Sequence, residues 1–539
     1  MLDRVAPMLA AVGVLAASAA YGQAAPLAPI EQVALSKDAF STGLLDRSAG
    51  ALGSDLWRGA DAQSLFQLLR MAPARPSSPA VGALMRRVLL SSGDGPQGAT
   101  AALGGAKLKA LARAGFVDEA RQVESLAAGA NTDPASLEAM AIADILSGDT
   151  TAGCGRARRV TAGLDNDFWI RLRVVCYAAS NELDAAELAL GILRENGRLG
   201  EIDDALLSPL ASGVKLKAPV APVDAVHFAA LKAMGVPVGG GFPEGADGGV
   251  VKAVAKDESV DWPTRLAAAR EAVALGIMSG AELQSIYGAA PAEAVGRYRE
   301  IRAMSAPELL RDRLGVVASE IAAATDFDSL FALSALYSDD IRDAEGALVP
   351  SREAQSLALA RLAQGDAVGA ERWLSSAAAE IARGVPDEQA MEFIDLVGIL
   401  GELEPAGAQR VAAAANVAVA PPRFAPASAA AAPSVELAPV VAAAIDAARQ
   451  ESAGQAALAA LAASGAAANG DPIAAAVLGP ALRAAGLSDI VRRRAVEAAI
   501  AAMYPGAPAP GAAIAITPAT APATGPDALK PRLKPKRSA

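Results

Sequence analysis

From Ala51 to about Pro219, apolar residues recur at spacings of three and four, and Gly, Asn, Asp or Pro breaks the pattern at short intervals. That periodicity predicts amphipathic helices joined by tight turns. Three of the breaks are alike. Gly115-Phe-Val-Asp-Glu-Ala120, Gly148-Asp-Thr-Thr-Ala-Gly153 and Asn181-Glu-Leu-Asp-Ala-Ala186 each set Gly or Asn five positions ahead of a small residue, and their starts are 33 residues apart each time. A helical hairpin repeated at that interval accounts for the regularity. Gly or Asn takes the left-handed conformation that ends one helix, acidic side chains favour the start of the next, and the small residue lets the two approach closely. A fourth copy, Gly365-Asp-Ala-Val-Gly-Ala370, lies in a second helical pattern running from about Val250 to Ala412.

These turns resemble the Gly-Asp-x-x-x-Ala turn of tetratricopeptide repeats, where it joins two antiparallel helices in a 34-residue unit. Ala127 and Ala377, seven residues after the small position, fit that family too, whereas the Trp-Leu-Gly and aromatic positions of its first helix are mostly missing. The resemblance covers about a third of the chain. It implies an α-solenoid that binds a partner on its concave face, because each unit contacts only its neighbours and the stack exposes one long surface.

Changes in composition predict the remaining boundaries. Residues 1–22 read as a signal peptide, 23–50 as an extended segment, and 51–234 as the first helical repeat region. A Gly-rich stretch at 235–249 reads as a flexible linker. A second helical region at 250–412 follows, in which Asp261-Trp-Pro-Thr264 marks a helix start, with Asp as cap and Pro in the first turn. Residues 413–440 read as an Ala/Pro-rich linker, 441–504 as a small helical segment, and 505–539 as a disordered basic tail that buries too little surface to offset its ordering entropy.

Composition strengthens the helical reading. The chain has 539 residues, more than one core usually supports, and although 53% are hydrophobic, aromatics make up only 4% and alanine supplies much of the rest. Alanine is the strongest helix former and a weak strand former, so the fold class is all-α, with helices packed through small side chains. The net charge of −11 disfavours a nucleic-acid partner, which needs a basic surface. The exception is local: Lys530, Arg532, Lys534, Lys536 and Arg537 crowd the last ten residues, where they could tether the chain weakly to an anionic membrane or cell wall. A solubilising end is the plainer reading.

Export follows from the N-terminus. Arg4 precedes an apolar run from Val5 to Ala20, and Ala20-Tyr21-Gly22 offers small residues at the two positions a signal peptidase inspects. The expected location is periplasmic or secreted, with an uncleaved N-terminal anchor as the alternative. In an oxidising compartment the two cysteines gain meaning. Cys154 and Cys176 each lie 11 residues from a turn centred on Asp165, so an antiparallel hairpin sets them level, and a disulfide is expected. Two buried thiols are the alternative.

Candidate chemistry is sparse. There is one histidine, His227, which reads as an ordinary helix residue and not as a base, and metal ligation has little support without a Cys-x-x-Cys pair or further His. Ser212-Gly-Val-Lys215 matches the Ser-x-x-Lys element of penicillin-interacting enzymes but lacks both companion motifs. Gly239-Gly240-Gly241 has no Gly-Lys-Ser/Thr behind it and reads as linker. Thr517 to Thr524 resembles the Ala/Thr repeats of antifreeze glycopeptides, a likeness that lends its name to some Ala-rich exported proteins; the regular tripeptide is absent, so the stretch reads as composition. The expectation is therefore an exported helical-repeat scaffold without catalytic residue or cofactor, binding an unidentified protein or envelope component. A cell-wall lytic enzyme on a helical solenoid, or a structural spacer, is the alternative.

Overall fold

The computed structural model describes residues 37–127, 129, 133–216, 218–239, 241–243, 245–423 and 435–504. Among them are 25 α-helices and no strand, only two isolated bridges. After an irregular segment come α1 (Ala62–Met71) and α2 (Pro79–Leu90). The repeat array follows: α3 (Ala101–Ala114), α4 (Val117–Leu126), α5 (Pro134–Leu146), α6 (Thr150–Arg159), α7 (Asp167–Ala179), α8 (Leu183–Glu195) and α9 (Glu201–Ala211). Next are α10 (Ala225–Met234), α11 (Gly248–Lys256), α12 (Trp262–Ala274), α13 (Gly280–Ala289), α14 (Gly296–Ala303), α15 (Leu310–Ala322), α16 (Phe327–Leu336) and α17 (Ser338–Asp343). The hairpins α18 (Ser351–Ala363) with α19 (Ala367–Arg383), and α20 (Asp387–Leu403) with α21 (Pro405–Ala415), precede the last group: α22 (Ala438–Gln450), α23 (Ala453–Ala468), α24 (Pro472–Ala484) and α25 (Ser488–Ala501).

The four matching turns share one backbone solution. Gly115, Gly148, Asn181 and Gly365 have φ of 104°, 87°, 61° and 74°. In each, the next residue donates its N–H to a carbonyl five positions back: Phe116 to Leu111, Asp149 to Asp144, Glu182 to Tyr177 and Asp366 to Arg361, at 2.8 to 2.9 Å. This closes the helix end with otherwise orphaned groups. Ala120, Ala186 and Ala370 are fully buried, and a Cβ on Gly153 would lie 2.9 Å from Ile145. Helices α3, α5, α7 and α9 begin at residues 101, 134, 167 and 201, so the period extends one helix beyond the recognisable motif. There it stops: Gly213 turns left-handed after α9 (φ 66°), and no partner helix follows directly. Cys154 on α6 and Cys176 on α7 form a disulfide with Cα atoms 5.7 Å apart, joining two successive hairpins.

Residues 235–249 do not behave as the flexible linker their glycines suggest. Val236, Val238, Phe242, Ala246 and Asp247 are buried. Gly248 and Gly249 are packing glycines: a Cβ on either would stand 2.7 or 2.5 Å from the carbonyl oxygens of Ala114 and Ala112, so the start of α11 fits the end of α3 only without side chains. The last helices are likewise not apart. Helices α22 and α23 pack on α1, α23 and α25 on α2, and α25 also reaches α16, α18 and α20. Gly454 donates its N–H to the Leu56 carbonyl at 2.7 Å, and Glu497 accepts from the backbone N–H of Ala80 at 2.8 Å.

Candidate protein-binding face

Every helix of the repeat array needs its apolar stripe covered, and where α9 lacks a hairpin partner the chain supplies another cover. Helix α10 lies across α5, α7 and α9, and α11 across α3 and α5. A short parallel bridge between Val220 and Val238 holds together the two segments flanking α10. The buried side of α10 is small and apolar, with Ala225, Val226, Phe228, Ala229, Ala230 and Leu231 all nearly inaccessible.

Charge fixes the register of that docking. Asp224 caps α10, accepting from the N–H of His227 at 3.0 Å, and its other oxygen lies 2.8 Å from Arg171 Nη1 on α7. Arg171 Nε also donates to Asp203 of α9 at 2.6 Å. Burial works against the Asp224 charge, but the Arg171 guanidinium and His227 more than offset it and hold the carboxyl below its usual range. His227 itself is 4% exposed, with Nε2 2.9 Å from both Asp203 Oδ1 and Arg171 Nη2. Enclosed by those partners, it is a structural member of the cluster. A related contact lies one step along the chain, without the side-chain cap bond that Asp224 makes. Asp247, at the N-cap of α11, receives a two-pronged contact from Arg113 of α3 at 2.9 and 3.0 Å. Burial pushes the Asp247 carboxyl up, although the Arg113 charge opposes this.

Beyond Arg113 the face is open. A groove of about 450 Å³ runs between α1, α3 and the starts of α5 and α7, with Phe66, Arg70, Ala106, Lys109, Arg113 and Glu138 among its lining residues. Its floor is alanine and glycine, and Gly105 allows α3 to meet the Ala135 and Ser136 backbone of α5. Glu138 is buried and contacts both Lys109 and the side-chain amide of Asn166. Arg70 is exposed on the rim, its guanidinium 6.0 Å from the Phe66 ring, with no carboxylate partner among the described residues.

The residues singled out in the sequence fall elsewhere. The turn residues lie at the helix ends, and the disulfide joins α6 to α7 away from the groove lining. Ser212 and Lys215 are both exposed just after α9 and line no described cavity. Gly239 donates its N–H to the Val220 carbonyl at 2.9 Å, and Gly241 is a left-handed turn residue. The signal segment, the basic residues Lys530 to Arg537 and residues 424–434 of the Ala/Pro-rich stretch lie outside the described residues. Among the described residues no helix is long and apolar enough to cross a membrane, and no group of three His, Cys, Asp or Glu side chains could hold a metal. Comparison with protein-family models, curated proteins and solved structures finds no match.

Proposed function

We propose that this chain is an exported, tetratricopeptide-like adaptor that binds a segment of another protein along the face shared by α3, α5 and α7. One observation carries the reading: the chain already uses the adjoining part of that face to hold a helix, α10, by apolar burial and ion pairing. The groove beside it offers the same small-residue floor and cationic rim without an occupant from the described chain. The disulfide and the signal-like N-terminus support export.

A photo-crosslinking amino acid at Ala106, in the groove, and another at the exposed Val368 of α19 test the reading in cells that export the protein. The expected result is a discrete adduct from Ala106 only. Equal labelling from both positions, or no adduct from Ala106, would overturn it, as would cell-wall hydrolysis by the purified protein.

A further inference from the structure

Cationic side chains on this face meet a recurrent partner. Arg171 grips Asp224, the N-cap of α10, and Arg113 grips Asp247, the N-cap of α11. Both helices are short, at 10 and 9 residues, and both bury Ala and Val against the array. The pairing has a physical basis. An acidic side chain at the N-cap position is favoured by the positive helix end and pairs with a guanidinium; Asp224 also accepts the His227 N–H with its second oxygen, whereas both Asp247 oxygens face Arg113.

Two cations of the groove stand outside that pattern. Among the described residues Arg70 has no carboxylate, and Lys109 shares the buried Glu138 with Asn166. On the lining, Arg70, Lys109 and Arg113 face one carboxylate, Glu138, in a chain whose net charge is −11. We infer that the groove takes a short helix of a partner protein that resembles α10: capped at its N-terminus by aspartate or glutamate, with an Ala/Val face toward α3. The cap carboxylate meets Arg70 and Lys109, and the small apolar face covers Phe66 and the alanine floor. The inference rests on the groove being the binding face and adds the chemistry of what binds.

The probe is a fluorescent peptide with the sequence of residues 222–235, which carries Asp224 and the apolar face of α10, titrated into the full-length oxidised protein. A second peptide carries the Asp224→Asn change. The wild-type peptide should bind about tenfold more tightly than the Asn peptide, and Arg70→Glu in the protein should erase that preference. Arg70→Lys should retain most of it. Arg70 is exposed and has no carboxylate partner among the described residues, so an unchanged melting temperature verifies that these variants fold. Equal affinity for the two peptides, binding indifferent to Arg70→Glu, or no binding of either peptide overturns the inference. The Ala106 crosslink separates the two levels: an adduct there without the carboxylate preference leaves the binding face standing and removes this chemistry, whereas absence of the adduct removes the face itself.

Discussion

Lys107 shows what a single side chain contributes where helices are built from alanine. It lies on α3, is 1% exposed, and donates to the carbonyls of Phe40, at 2.9 Å, and Thr42, fastening residues 38–42 to the array. Burial pushes its pKa down to about 7, with Asp38 opposing the shift. An unfolded lysine titrates near 10.4, roughly, so between those values the unfolded chain holds the proton that the folded chain has released. Stability therefore rises with pH across this window, by up to about 1.4 kcal/mol per pH unit, and the cost of burying the charge is present in full below pH 7. Lys107→Met abolishes the titration. Its stability relative to wild type is expected to be most favourable near pH 6 and to decline steadily toward pH 10, read from urea midpoints. A difference that stays flat with pH would show that Lys107 keeps its proton in the fold.

At the level of helices and turns, Asn181 stands where the other repeats have glycine, with φ of 61°. Left-handed backbone costs an L-residue roughly 1–2 kcal/mol, less for asparagine, which forms local hydrogen bonds. Asn181→Gly should raise the thermal midpoint modestly, by up to about 1 kcal/mol of stability, and Asn181→Val should lower it by about 1–2 kcal/mol. The opposite order would mean that the asparagine side chain contributes more than the conformation costs. These turns were legible in the sequence because left-handed closure admits few residue types, and the disulfide was legible because a short hairpin fixes which positions face each other. The α10 docking was not. Its charge cluster brings Arg171, Asp203 and Asp224 together from three helices, and a run such as Val223-Asp-Ala-Val-His227 reads as any capped helix would. The Gly-rich segment misled for a related reason: glycine marks a flexible joint and a close backbone approach alike, and only the 2.5 Å clearance at Gly249 tells them apart.

Over the whole described chain, the decisive contacts join residues some 400 positions apart. Pro79 begins α2 without an N–H to offer, and the next donor, Ala80, is satisfied by Glu497 of α25, with Arg87 and Asp489 paired at 2.6 Å nearby. Glu497 is 3% exposed, and burial raises its pKa, against the charges of Arg493 and Arg494 and the hydrogen bonds from Ser78 and Ala80. A carboxyl with a raised folded pKa destabilises progressively as pH climbs from its unfolded value through its folded one. Glu497→Gln keeps an oxygen for Ala80 and loses the buried charge, so it should match or exceed wild-type stability at pH 7 and flatten the acid side of the profile. Glu497→Ala leaves a buried N–H unmatched and opens a void, costing about 1–3 kcal/mol. Because α25 rests on α2 as well as on α16, α18 and α20, that loss should not stay local. Hydrogen exchange should show amides of α2 and α25 losing protection together, by roughly 5- to 150-fold for that range of cost, while the disulfide-joined pair α6 and α7 changes little. Loss confined to α25 would mean that the C-terminal helices are held by the second half of the chain alone; joint loss would mean that the first helices, α1 and α2, depend on the last group, and that truncating residues 438–504 weakens the wall of the groove formed by α1.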